Sequence, residues 1–143
     1  DPSFRGKKKG ALCLPIEHFV QSTMRTASGF KVQGQGKLTY KGAVAGNIDG
    51  SPEYVALLDP ETGARLYDYA IDSRACRVQS SRVMRRRPRL DKWAAEFTLV
   101  IVDEEVLPVE VVANVLSTAG TSKGVGDYRP RYGQFRVEQF QVV

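Results

Sequence analysis

Leu14-Pro15-Ile16-Glu17 and Leu107-Pro108-Val109-Glu110 are two nearly identical stretches of this sequence, and together they decide the fold that we expect. Each follows an apolar run and opens a segment in which apolar residues recur at helical spacing. In each, proline stands where the first turn of a helix accepts it, and the segment ends at a glycine, Gly29 or Gly120. The pattern predicts two strand–helix units, one near each end of the chain.

The two helices are expected near residues 15–28 and 108–119. Two strand–helix units at the ends of one domain are typical of a split βαβ sheet. We therefore predict an α+β fold, a ferredoxin-like antiparallel sheet with both helices packed on one face, as a single domain over residues 10–143. Its last strand is expected at 134–143, where apolar and polar residues alternate. Residues 1–9 are polar and basic, which predicts an N-terminal arm outside the core.

The middle of the chain is expected to supply further strands. Ser81–Arg87 is predicted to be a strand that Pro88 ends, and Trp93–Val102 shows the clearest alternation of apolar and polar residues. These two strands are expected to form a hairpin whose connection carries Arg89. Residues 34–50 contain five glycines, which predicts a loop-rich segment.

Composition narrows the classes of protein that the chain can belong to. Of its 143 residues, 42% are hydrophobic and 26% are charged, as in a soluble globular domain. No apolar run approaches the roughly 20 residues of a membrane-spanning helix, so no membrane partner is expected. Cys13 and Cys76 form no CxxC pair, which argues against a zinc site or a disulfide framework and favours a reducing, cytoplasmic location.

The sequence offers few residues for catalysis. His18 is the single histidine, so a catalytic triad, a Cys–His pair or a histidine-rich metal site would have to use this one residue. No phosphate-binding loop of the Gly-Lys-Ser/Thr type and no carboxylates at paired spacing are present. We therefore expect no cofactor, no bound metal and no enzymatic activity.

Basic residues are segregated along the chain. Residues 74–92 contain eight arginines and lysines and one acidic residue, whereas residues 93–122 contain five acidic residues and no basic one. Separate basic segments of this kind favour a surface that binds a polyanion. The alternative is that each basic segment is solvated independently.

Two segments carry the candidate binding residues besides the basic arm. In an extended strand Arg85 and Arg87 share one face and Arg86 the other, and flexible arginines suit phosphate contacts. Glycines at 124 and 126 let backbone N–H groups turn toward an anion, and nearby tyrosines are suited to stacking on bases. The predicted nucleic-acid-binding residues are Lys7, Lys8, Lys9, Arg85, Arg86, Arg87, Arg89, Lys123, Gly124, Gly126, Tyr128, Arg129, Arg131 and Tyr132.

Each of these segments also has a purely structural interpretation. The arginines would then be a charged hairpin tip that prevents edge aggregation. The glycines would permit a tight connection between the second helix and the last strand. Tyr67, Tyr69 and Ile71 share one face of an extended segment, and the sequence leaves open whether that face is an exposed platform or core.

Two families resemble parts of this chain. Residues 14–27, LPIEHFVQSTMRTA, resemble the first helix of the RAMP superfamily, which supplies backbone subunits of CRISPR effector complexes. The Gly124-x-Gly126…Gly133 loop resembles the glycine-rich loop of that superfamily. Residues 123–135 are also similar to the ending of small phage-encoded proteins, which close on a G-[IV]-G-D-x-R-P…G-x-F pattern. The resemblances imply a ferredoxin-like fold and a phage protein acting in the host cytoplasm.

Together these features predict a non-enzymatic nucleic-acid-binding protein that holds single-stranded RNA or DNA through basic loops and the glycine-rich loop. The arginine segment and the glycine loop are expected to form one binding face. A first alternative is a structural or assembly protein of a virion or other homo-oligomer, whose basic segments dock on acidic surfaces of a neighbour. A second is a metal-independent endoribonuclease in which His18 acts as a general acid or base.

Overall fold

The computed structural model describes residues 10–79, 81–126 and 133–142, and its architecture is α+β. The elements are β1 (Cys13–Pro15), α1 (Ile16–Ala27), α2 (Lys41–Asn47), β2 (Ile48–Ser51), β3 (Tyr54–Ala56), β4 (Ala70–Val78), β5 (Ser81–Arg89), β6 (Thr98–Ile101) and α3 (Val109–Ser122). The strands form two-stranded sheets, in which β1 pairs with β3, β2 with β6 and β4 with β5. The predicted α+β class is therefore confirmed.

The chain divides into two compact units. Within the described residues, the first unit comprises 10–14 and Val55–Glu96, and the second comprises Pro15–Tyr54 and 97–142 without residues 127–132. The β4–β5 hairpin belongs to the first unit, and all three helices belong to the second. The predicted arm at residues 1–9 lies outside the described residues, and the single domain over 10–143 stays a prediction.

In the second unit, α1 and α3 begin where the repeated tetrapeptide predicts. Pro15 and Pro108 cap the two helices with φ of −59° and −61°, which matches the φ that the proline ring imposes. The two buried threonines of α1 are satisfied locally, since Thr23 Oγ1 donates a hydrogen bond to the Phe19 carbonyl at 2.7 Å and Thr26 Oγ1 donates one to the Ser22 carbonyl at 2.9 Å. The predicted positions of both helices are confirmed.

The core of this unit lies between the helices and the β2–β6 pair. Its fully buried members are Ala27, Val44, Leu107, Val112 and Val115. In the antiparallel β2–β6 register Ile48 lies opposite Ile101, and both side chains pack against this core. Phe19 packs against two other aromatic rings of this unit, since its ring centroid lies 4.4 Å from that of Phe97 and 5.7 Å from that of Phe135.

The first unit is held together around Leu12, Leu57 and Leu66. The Leu12 N–H donates to the Leu66 carbonyl at 2.8 Å, the Leu57 N–H to the Leu12 carbonyl at 2.9 Å, and the Leu66 N–H to the Leu57 carbonyl at 2.9 Å. Leu12 and Leu57 are buried. The chain continues from this layer through Tyr69 into β4, the first strand of the antiparallel β4–β5 hairpin.

The predicted pairing of the arginine-rich strand was wrong. β5 pairs with β4, and not with the segment after residue 92. The strand also continues past Pro88 to Arg89, which lies opposite Ala70 and not on a loop. Proline has no N–H to donate, and alternate residues of an antiparallel strand direct their N–H away from the partner strand. Within the described residues β5 pairs with β4 alone, so a proline at such a position removes no hydrogen bond of the pair.

Two other predicted strands are shorter or absent. Of the predicted strand at 93–102, only Thr98–Ile101 pairs as a strand, and the isolated bridge of Ala94 goes to Leu58. Residues 133–142 contain no strand, although Phe135 and Val137 are more buried than their polar neighbours Gln134, Arg136 and Glu138. Phe140, the third apolar residue of the predicted alternation, is exposed, and the described segment has no strand partner.

The glycine-containing segment at 34–50 holds a helix that the sequence pattern did not predict. α2 contains Gly42 and Gly46, whose low helix propensity concealed it. Val44 is completely buried in the core of the second unit, and tertiary packing therefore stabilises this short helix.

Gly120, near the end of α3, provides a test of the close packing in the second unit. A Cβ at this position would meet the Phe135 carbonyl oxygen and lie 2.7 Å from the Phe135 ring. We expect Gly120→Ala to lower the free energy of unfolding by about 1–3 kcal/mol, because overpacking outweighs the gain in helix propensity. Chemical denaturation of the purified variant measures the change.

Gly42→Ala and Gly46→Ala are the matched controls for this substitution. Both lie in α2, and a Cβ on either meets nothing within 4 Å. Each control should leave stability unchanged or raise it by about 0.5–1 kcal/mol. A Gly120→Ala protein as stable as these controls would contradict the packing of the residue 135 backbone on α3.

Candidate nucleic-acid interface

The β4–β5 hairpin contains seven arginines and one acidic residue. The register pairs Ala70 with Arg89 at one end and Val78 with Ser81 at the other. Because residues directly opposite each other share a face, this register assigns every arginine to one of two faces. Four of the predicted site residues, Arg85, Arg86, Arg87 and Arg89, lie on β5.

We name the two faces by their arginines. The Arg82 face consists of Ile71, Ser73, Ala75 and Arg77 of β4 with Arg82, Met84, Arg86 and Pro88 of β5. The Arg85 face consists of Ala70, Asp72, Arg74, Cys76 and Val78 of β4 with Ser81, Val83, Arg85, Arg87 and Arg89 of β5. The prediction that Arg85 and Arg87 share one face and Arg86 the other is confirmed by this register.

Two pairs of arginines lie directly opposite each other in the hairpin. Arg74 pairs with Arg85, and Arg77 pairs with Arg82. Like charges at directly opposite positions of an antiparallel strand pair are destabilising. A strand pair that places arginine opposite arginine twice therefore has a surplus of positive charge that a bound anion would neutralise.

Acidic residues accompany only part of this charge. Asp72 lies opposite Arg87 on the Arg85 face, and both residues are half-buried. The Nε of Arg89, on the same face, donates to Asp91 Oδ1 at 2.8 Å. The Arg82 face includes no acidic residue.

Apolar and aromatic side chains are exposed on and beside the hairpin. Tyr67, Tyr69, Ile71 and Met84 are all exposed. The question that the sequence left open for residues 67, 69 and 71 is thereby answered in favour of an exposed surface.

The glycine loop follows α3 in the second unit and packs closely on its own backbone. Gly124 is buried with φ of 69°, and a Cβ there would lie 2.8 Å from the Gly133 carbonyl oxygen. The Gly124 N–H donates to the Ala119 carbonyl at 2.7 Å, and the Val125 N–H donates to the Gly133 carbonyl at 2.9 Å. Both N–H groups therefore donate hydrogen bonds to backbone carbonyls of the chain itself. This is expected if the glycines permit a tight connection after α3.

Only some of the other predicted residues of this loop and of the arm lie within the described ranges. Lys123 is exposed at the end of α3, and Gly126 has φ of 93°. The remaining predictions, Lys7, Lys8, Lys9, Tyr128, Arg129, Arg131 and Tyr132, lie outside the described residues. Since the hairpin and the loop belong to different units, their common binding face stays a prediction.

His18 lines a shallow cavity of the second unit that the sequence did not predict. The cavity has a volume of about 310 Å³ and lies between Glu17, His18, Gln21 and Arg25 of α1 and residues 124–126. Helical spacing places residues 17, 21 and 25 on one side of α1. This spacing is the feature of the sequence from which a shared surface of these residues could have been predicted. Among the described residues, no three histidine, cysteine, aspartate or glutamate side chains cluster as metal ligands.

Comparisons with known proteins add no relative whose site could be set beside this hairpin. A scan against protein-family models, a search of curated proteins and a search of solved structures found no match to this chain. Within the described ranges, no helix has the length and apolar character needed to cross a bilayer. The geometry of the hairpin is therefore the observation from which a function can be inferred.

Proposed function

We propose that this protein is a non-enzymatic nucleic-acid-binding protein that holds single-stranded RNA or DNA, with the β4–β5 hairpin supplying phosphate contacts. The observation that carries the proposal is the register that places Arg74 opposite Arg85 and Arg77 opposite Arg82. A solvated surface has no need of such pairs, because interleaved acidic residues would remove the repulsion. A polyanion removes it on binding.

Arginine is the residue type that suits a phosphate backbone. Its planar guanidinium donates two parallel hydrogen bonds to one phosphate and remains charged at every physiological pH. Contacts of this kind position a nucleic acid without reading its sequence. The protein is therefore a binder of backbone charge, with no base preference expected from the arginines themselves.

The finer fold and the origin of the protein belong to the same proposal. We infer a ferredoxin-like relation between the two strand–helix units, supported by the shared LP[IV]E start of α1 and α3 and by the packing of these helices on each other. The ending similar to phage-encoded proteins supports a phage protein in the host cytoplasm. The charge pattern of the hairpin is independent of both inferences.

Exposed apolar residues in the second unit favour a second candidate function. Val102 and Val142 are more than two-thirds exposed, at 71% and 72%, and Phe140 is also exposed. Apolar side chains left at the surface suit a contact with another copy of the chain. A structural or assembly protein of a virion or other homo-oligomer is thus the alternative, and the basic hairpin would then bind an acidic surface.

Salt dependence tests the proposed function. We expect replacement of Arg82, Arg85 and Arg86 by glutamine to weaken binding of a fluorescent oligonucleotide similarly for all base sequences. The slope of log K against log salt should fall by about 0.7 for each single-strand phosphate that the variant no longer binds. Titrations at several salt concentrations measure both quantities.

The control variant replaces Lys31, Lys37 and Lys41 by glutamine, which removes the same net charge from exposed positions of the second unit. It should bind with nearly the wild-type salt slope. If the triple arginine variant keeps its fold by circular dichroism and also keeps the wild-type affinity and slope, the assembly function is supported instead.

The repulsion within the hairpin gives a second prediction. Arg82→Glu turns the Arg77–Arg82 pair into an opposite-charge pair, so the free hairpin should become more stable by on the order of 1 kcal/mol at low salt. Amide hydrogen exchange in β4 and β5 measures this local stability. The same variant should bind the oligonucleotide more weakly than wild type.

Arg82→Gln controls for removing the repulsion without adding an attraction, and its stability should lie between wild type and Arg82→Glu. The differences should shrink at high salt, where exposed charges are screened. Slower exchange together with tighter nucleic-acid binding in Arg82→Glu would contradict a phosphate contact at this position.

The absence of catalysis is also testable. We expect the purified protein to leave labelled RNA and DNA strands intact over hours. Cleavage that persists after further purification and disappears in His18→Ala would overturn the non-enzymatic proposal. That result would favour the endoribonuclease alternative, with the cavity beside α1 as its site.

A further inference from the structure

The proposed function does not say which arginines of the hairpin contact the nucleic acid. The register of β4 and β5 divides them between two faces that differ in charge balance. One flexible single strand lying along a two-stranded ribbon contacts one of these faces at a time. The two faces are therefore competing candidates for the binding surface.

The Arg85 face has two carboxylates on or beside it for four arginines, of which Arg74 and Arg85 lie opposite each other by register. Asp72 lies opposite Arg87, where an opposite-charge pair is favourable, and both residues are half-buried. Arg89 donates to Asp91 at 2.8 Å. Arginines with a neighbouring carboxylate attract a phosphate less, and the carboxylate itself repels it.

The Arg82 face has the opposite properties. Arg82 and Arg86 are exposed, and Arg77 lies opposite Arg82 by register, with no acidic residue among the eight positions of the face. Met84, which is 64% exposed, lies between Arg82 and Arg86, and Ile71, which is 54% exposed, lies beyond Arg86 toward the open end of the hairpin. The face thus combines unbalanced positive charge with apolar surface.

This combination suits unpaired nucleotides. In a duplex the faces of the bases are covered by their neighbours, whereas bases of a single strand are free to lie on apolar and aromatic side chains. Tyr69 immediately precedes β4 and is 40% exposed, and the period of two of extended backbone places it on the side of Ile71. An aromatic ring therefore continues the Arg82 face at the open end of the hairpin.

We infer that the Arg82 face is the surface on which a single-stranded nucleic acid lies, with Arg82 and Arg86 on phosphates and with bases against Tyr69, Ile71 and Met84. This inference rests on the proposed function. It adds Arg82 to the binding residues, and it assigns Arg87 and Arg89 to pairing within the protein.

The test compares two double variants that each remove two charges from the same strand. Arg82→Gln with Arg86→Gln should reduce the salt slope for a single-stranded oligonucleotide by about 1.4 and weaken binding on the order of tenfold to thirtyfold at 0.1 M salt. Arg87→Gln with Arg89→Gln should retain nearly wild-type slope and affinity. Circular dichroism and hydrogen exchange establish that both variants keep the hairpin.

The outcomes separate this inference from the proposed function. Equal losses in the two double variants, or a larger loss in the Arg87 and Arg89 variant, would overturn the choice of face and leave the proposed function standing. No salt-dependent binding by the wild-type protein would overturn the proposed function itself. Tighter binding to a duplex than to the single strand of the same sequence would overturn the single-stranded occupant.

Tyr69 tests the contact with bases separately from the contact with phosphates. Tyr69→Ala should weaken single-strand binding roughly five- to hundredfold with no change in salt slope, because stacking releases no counterions. Tyr69→Phe keeps the ring and should bind like wild type. Equal loss in Tyr69→Phe and Tyr69→Ala would show that the hydroxyl, and not the ring, matters, and would overturn stacking at this position.

Discussion

The antiparallel register of β4 and β5 is the constraint from which the candidate interface follows. A slip of one residue in this pairing would move every side chain of one strand to the opposite face. The observed register leads into a turn in which Gln79 has φ of 57°, a conformation that few residues other than glycine adopt. With that register fixed, arginine faces arginine at two positions, and the carboxylates of Asp72 and Asp91 stay with the Arg85 face. The Arg82 face is then the face that has arginines and no carboxylate.

The second unit depends on a different constraint, which is close packing of backbone. Phe135 packs its ring edge-on against Phe19, and its N–H donates to the Gly120 carbonyl at 2.9 Å. Glycines at 124 and 133 have positive φ and approach each other too closely for a side chain. The glycine loop thus has a structural role that is visible in its hydrogen bonds, whereas its predicted nucleic-acid contacts, from Lys123, Gly124, Gly126, Tyr128, Arg129, Arg131 and Tyr132, stay a prediction. The hairpin is the stronger candidate because its two strands contain seven arginines and one acidic residue.

The parts of the fold that depend on local sequence were predictable. Pro15 and Pro108 preset the first turn of α1 and α3, and apolar spacing defined their buried sides, so both helices were placed within a few residues. Alternation along β5 likewise assigned Arg85 and Arg86 to opposite faces. Strand partners were not predictable in this way, because alternation reveals which side of a strand is buried and not which strand lies beside it. Arg82 was not among the predicted binding residues for that reason, since the role proposed for it depends on Arg77 across the hairpin and on a face without a carboxylate.

The central claim is that nucleic acid binds at the β4–β5 hairpin, and backbone NMR of the full chain tests it most directly. Amide resonances would be followed while a short single-stranded oligonucleotide is added at low salt. We predict that the largest shifts fall on Ala70–Val78 and Ser81–Arg89 and that they reverse when salt is raised. Shifts confined to α1 and residues 124–126, around the cavity beside His18, would contradict the claim, as would a spectrum that the oligonucleotide leaves unchanged.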